Sequence, residues 1–132
     1  MLVKVLDTEA ASLWYHADKQ IIHHQFHKFT YGKEFQELLL TGMELMKKNN
    51  AHKWLSDDRD MPVLRPEDME WAQNTWFPQT VNAGWKYWAI VQPENVIGQL
   101  NLDRLVKWYL AAGITARYFH DPDEAMQWLE SQ

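Results

Sequence analysis

Trp85-Lys86-Tyr87-Trp88-Ala89-Ile90-Val91 is apolar at almost every position, with Lys86 its one charge. Such a run suits a central strand covered on both faces of a parallel sheet, where alternation with polar residues is not needed. Gln92-Pro93-Glu94-Asn95 and Gly98 break the run, and Leu102, Leu105, Val106 and Tyr109 then recur at helical spacing until Gly113. Ile114 to Phe119 reads as a strand again. Strand, helix and strand in this order predict a parallel pair joined by a right-handed crossover.

The same alternation extends outward in both directions. Upstream, Lys53-Trp54-Leu55-Ser56-Asp57 reads as a strand, and after the polar loop Asp58 to Leu64 comes Pro66-Glu67-Asp68. Proline at a first helical position with acidic residues behind it opens a helix. Met69, Ala72 and Trp76 form its inner stripe; Pro78 is expected to interrupt or kink it, and Gly84 closes the segment. Downstream, Asp121 caps a last helix that starts at Pro122 and turns Ala125, Trp128 and Leu129 inward.

The first third of the chain reads differently. Val3 to Leu6, Ser12 to His16 and Ile21 to Phe29 are strand-like, with Ala17-Asp18-Lys19-Gln20 as a turn. Alternation then places Leu13, Tyr15, Ile22, His24 and Phe26 on one face, and Trp14, His16, Ile21, His23 and Gln25 on the other. A helix follows. Thr30 is its expected cap, Phe35, Leu38, Leu39, Gly42, Leu45 and Met46 its apolar stripe, and Asn49-Asn50 its end. The expected fold is a single α/β domain over 1–132. Its mixed sheet has an amino-terminal antiparallel meander followed by β-α-β-α-β-α, with helices packed on the sheet. Leu39, Trp54, Leu55, Ala89, Ile90, Leu105 and Leu129 are expected in the core.

With 132 residues the chain is long enough to fold without a disulfide or metal staple, and its lack of cysteine excludes a thiol nucleophile and a Cys-rich zinc site. A net charge of −5 argues against binding nucleic acid through its phosphates. No apolar run approaches the ~20 residues that span a bilayer. The amino terminus shows none of the marks of a secretory leader. A cytoplasmic protein that binds neither membrane nor nucleic acid is therefore expected.

The stretch Lys53 to Met61, the Pro66-Glu67-Asp68 helix start, Trp88-Ala89-Ile90-Val91 and the ending Tyr118-Phe119-His120-Asp121-Pro122-Asp123-Glu124-Ala125 resemble small bacterial proteins described as SpoIIAA-like. These belong with the STAS domain, the anti-sigma-factor-antagonist fold. The resemblance covers nearly the whole chain. It implies a STAS-like fold and a non-enzymatic binding or regulatory module that acts through contact with a protein partner or a second copy of itself. Regulatory members carry a phosphorylatable Ser or Thr, commonly followed by Gly, at a helix start after a central strand. The matching place here reads Asp57-Asp58-Arg59-Asp60-Met61, without hydroxyl or glycine, and Ser56 falls one step early. A phosphorylation switch is not expected there.

Carboxyl ends of parallel strands are the usual ligand crevice in open α/β sheets. They supply Asp57, Asp58, Arg59, Gln92, Glu94 and His120 as ligand-crevice candidates. Asp57 with His120 is the pair suited to acid–base work; the competing reading makes Asp58 and Asp60 solvated loop residues and Arg59 a salt-bridge partner. No catalytic residue, cofactor or metal site is assigned. His16, His23 and His27 share a polar sheet face without metal-ligand spacing, and no P-loop, GxGxxG or GxSxG is present. Trp14, Trp71 and Trp108 fall off the expected inner stripes and are candidates for an interface, with a homodimer as one form of it. The alternative to a protein-contact module is a small-ligand-binding protein or small enzyme that uses the strand-end crevice.

Overall fold

The computed structural model describes residues 2–132. The strands β1 (Leu2–Asp7), β2 (Ala11–His16), β3 (Ile21–Phe26), β4 (Lys53–Asp57), β5 (Tyr87–Val91) and β6 (Thr115–Phe119) form one sheet in sequence order. The first three are antiparallel and the pairs from β3 onward are parallel. The β2–β3 turn closes on Gln20, whose φ of 56° gives the left-handed residue that a tight reversal needs.

Because the parallel strands are added in one direction, right-handed crossovers put every connecting helix on the same face. That face carries α1 (Gly32–Asn49), α2 (Pro66–Trp71), α3 (Phe77–Asn82) and α4 (Val96–Ala111). The other face is left to the last helix, α5 (Pro122–Glu130), which packs on β4, β5 and β6. One sheet thus carries two cores of unequal size. The larger joins Leu13, Tyr15, Ile22, Trp54, Trp88 and Ile90 to the crossover helices. The smaller joins Ile21, Leu55, Ala89 and Val91 to Ala125 and Leu129. All seven residues expected in the core are buried.

Four local expectations are corrected. β3 stops at Phe26. Thr30 does not cap α1, because its hydroxyl is turned to the carbonyls of Ala10 and Lys28. Instead the Gly32 amide donates to the Asp68 carboxylate at 3.2 and 3.3 Å, and Arg65 holds that carboxylate in a fork at 2.8 and 3.1 Å. Pro78 does not end the helix: a π turn at Ala72–Trp76 widens the backbone just before it, and the chain stays helical from Pro66 to Asn82. Finally, β5 is covered on both faces but lies one strand in from the edge, between β4 and β6.

Candidate functional site

Between the sheet and its roof of crossover helices lies a pocket of about 70 Å³ at the carboxyl ends of β3 and β4. That is several times the ~10–15 Å³ that one water needs. Its walls are aromatic. Trp54 meets Trp76 edge-on at 5.3 Å, Trp76 meets Trp85 at 5.2 Å, and Trp85 meets Trp88 at 5.3 Å. Tyr109 closes the series at 5.3 Å from Trp88. Each ring has its polar atom occupied: Trp76 donates to the Leu39 carbonyl, Trp85 to that of Tyr87, and the Tyr109 hydroxyl to that of Ala72. Burial pushes the Tyr109 hydroxyl well above the usual phenol range, so it stays protonated. What the walls offer a guest is apolar surface.

The loops after β4 and β5 and the first turn of α4 edge the pocket through Met61, Leu64, Pro93 and Gly98. A side chain at Gly98 would stand 2.9 Å from Pro93 and 3.0 Å from the carbonyl oxygens of Met61 and Pro62. Glycine is what lets helix and loop approach this closely.

Three polar side chains line the pocket: His24, Ser56 and Asp58. Each is buried. The indole of Trp54 donates to His24 Nδ1 at 2.9 Å, and His24 Nε2 lies 3.0 Å from Asp58 Oδ1. An indole N–H can only donate, so Nδ1 carries no hydrogen. The geometry therefore assigns the uncharged tautomer, with its hydrogen on Nε2 and given to Asp58. Trp88 donates to Ser56 Oγ at 2.7 Å, which leaves the serine its own hydrogen to offer. Asp58 Oδ2 takes no hydrogen bond from the described residues.

Of the strand-end candidates, only Asp58 lines this pocket. Asp57, one residue earlier, points to the opposite sheet face, where Arg59 holds it in a two-pronged pair at 2.9 and 2.7 Å. That carboxylate raises the Arg59 pKa. Gln92 is half-buried beside the edge strand, and Glu94 and His120 are exposed. The Asp57–His120 pair is not assembled; the aspartate–histidine pair that does form is Asp58 with His24. Asp58 is a buried residue, not a solvated loop one. His24 had a legible signal, since it alternates with Ile22 and Phe26 on an apolar face.

On the other sheet face Trp14 packs on His23 at 4.8 Å and His16 Nε2 lies 3.1 Å from His23 Nδ1. Burial, with His16 adding to it, pushes His23 down to about 3. At the end of the same face Ser12 Oγ donates to Asp7 at 2.8 Å and lies 2.7 Å from His27 Nε2. This is not a nucleophile arrangement. The serine hydrogen goes to the carboxylate, so the imidazole must donate to the serine and cannot take its proton. Among the described residues no group of three or more His, Asp or Glu is placed to hold a metal ion.

The interface candidates lie apart. Trp14 stands on the sheet face opposite α2 and α4, Trp71 packs edge-on against Phe35, and Trp108 packs on Phe77 and Tyr109 while staying 38% exposed. Trp108 belongs to an outer face of α4 that also exposes Val96, Ile97, Leu100 and Leu110. Among the described residues no helix is long and apolar enough to cross a membrane. No family model, no curated protein and no solved structure matches the chain.

Proposed function

We propose that this chain is a small-ligand-binding protein whose site is the aromatic pocket between the sheet and α1 to α4. The observation that carries this reading is a pocket lined by four tryptophans and Tyr109 in which only His24, Ser56 and Asp58 are polar. Small-molecule sites have this make-up: a largely apolar wall with a few placed polar groups. The place also fits, at the carboxyl ends of parallel strands. His24 has both ring nitrogens committed, which favours binding over proton transfer. Calorimetry with isobutanol, a guest on the scale of the cavity, tests the reading. Saturable binding is expected to the native chain and to Trp108→Ala, whose ring is outside the pocket. Leu102→Phe, which fills it, is expected to lose binding. Equal binding to Leu102→Phe, or none to the native chain, contradicts the reading.

A second reading is favoured by the outer face of α4. There Val96, Ile97, Leu100, Trp108 and Leu110 are exposed beside the Asp103–Lys107 ion pair, and a large exposed apolar patch with a polar rim marks a contact surface. Under this reading the chain is a STAS-like regulatory module and a second copy covers Ile97, Leu100 and Trp108 in a two-fold dimer. Sedimentation tests it. A native dimer that Trp108→Ala or Leu100→Asp converts to monomer supports it; a monomeric native chain at high micromolar concentration rejects it.

A further inference from the structure

Asp58 is a carboxylate 6% exposed, beside aromatic rings, whose one ion-pair distance among the described residues is to His24. His24 brings no positive charge, because Trp54 occupies Nδ1 as a donor. The nearest guanidinium in sequence, Arg59, is spent on Asp57 across the sheet, and Arg65 is spent on Asp68. The pocket therefore presents a largely buried carboxylate whose one protein partner is the neutral imidazole at Oδ1; no fully buried side-chain oxygen among the described residues lacks a partner, so Oδ2 is the oxygen open to the pocket's solvent. Oδ2 is left for a donor that the described residues do not supply. Burying a carboxylate without a counter-charge is costly, and a ligand that supplies the charge recovers that cost on binding. Aromatic rings around such a carboxylate add to the attraction, since their faces are electron-rich.

Resting on the ligand-binding reading above, we propose that the pocket takes an organic cation. The ligand is a protonated amine on a compact apolar body, its N–H donated to Asp58 Oδ2 and its body against Trp54, Trp88 and Tyr109. Anionic ligands of the same shape are repelled, and neutral ones keep only the apolar contacts and one uncharged hydrogen bond.

The test is calorimetry near neutral pH with three small ligands of similar size: isobutylamine, isobutanol and isobutyrate. The expected order on the native chain is amine at least tenfold tighter than alcohol, with the carboxylate weakest. Asp58→Asn keeps an acceptor for His24 and puts an amide in place of the charge, so it is expected to bring the amine down to the affinity of the alcohol. An alcohol or carboxylate that binds as tightly as the amine overturns the inference and leaves the pocket reading standing. A folded Asp58→Asn that binds the amine as the native chain does also overturns it. Binding of none of the three overturns the pocket reading together with this one. If Asp58→Asn does not fold, the order of the three ligands on the native chain decides.

Discussion

The two faces of the sheet are built from alternate residues of the same strands, yet they impose opposite conditions on polar groups. His23 and His24 are neighbours in β3. His24 faces the roofed side and is held between Trp54 and Asp58; His23 faces the partly bare side and rests against Trp14 and His16. Asp57 and Asp58 divide in the same way, one to Arg59 and the other to the pocket. A single step along a strand decides between them, because side chains alternate across a sheet. The roofed face needs every polar atom matched. Under the ligand-binding reading proposed above, the Ser56 hydrogen and Asp58 Oδ2 are the polar positions on that face left open to a guest.

The contrast can be broken most forcefully at Trp54, whose ring is 1% exposed and holds both the core and the His24 bond. Trp54→Ala is expected to cost about 3–5 kcal/mol by denaturant unfolding. On the opposite face Leu129, fully buried under β4 and β5, anchors α5, and Leu129→Ala is expected to cost about 2–5 kcal/mol. The pocket should survive that change; if isobutanol binding falls with it, the two cores are not separable. Gly42→Ala would set a methyl 2.2 Å from the Trp54 ring, an overpacking expected to cost about 1–3 kcal/mol and to shift the pocket wall. No change in midpoint there would show that α1 stands farther from the sheet.

The effect expected on the bare face depends on pH and accumulates only in acid. His23 is lowered from 6.5 to about 3 in the folded chain, so between those values the unfolded chain binds a proton that the folded one refuses. Stability is then flat above about pH 6.5 and falls as pH drops toward 3, by up to about 1 kcal/mol per pH unit. His16, lowered by its burial and by Lys19, acts in the same direction; Asp57 opposes the shift at His23. His23→Gln should flatten the acid limb of the unfolding curve. An unchanged limb would assign acid sensitivity to other groups.

Much of the fold was legible in the sequence because its signals are local. Pro66, Pro122 and Asp121 mark helix starts by their own backbone chemistry, and Lys53–Asp57 is a strand by composition. Strand order was not legible: nothing within Trp85 to Val91 tells that β6 is an edge beside it. The Thr30 hydroxyl was read as a cap because capping is local, whereas its partner Ala10 comes from a distant segment. The same limit applied at the site. Asp58 looks like a solvated loop residue until β3 brings His24 beside it, and the pairing joins residues 34 apart in sequence. Gly98 had no sequence context that revealed the loop packed against it.

The central claim, that the roofed face and not the bare one receives a ligand, is tested most directly by fluorine NMR. The eight tryptophans are labelled as 5-fluorotryptophan and assigned by single substitutions. Titration with isobutylamine is expected to move the resonances of Trp54, Trp76, Trp85 and Trp88, while those of Trp14 and Trp128 stay in place. Shifts confined to Trp14 or Trp128, or no shift at any of the eight under saturating ligand, would contradict it.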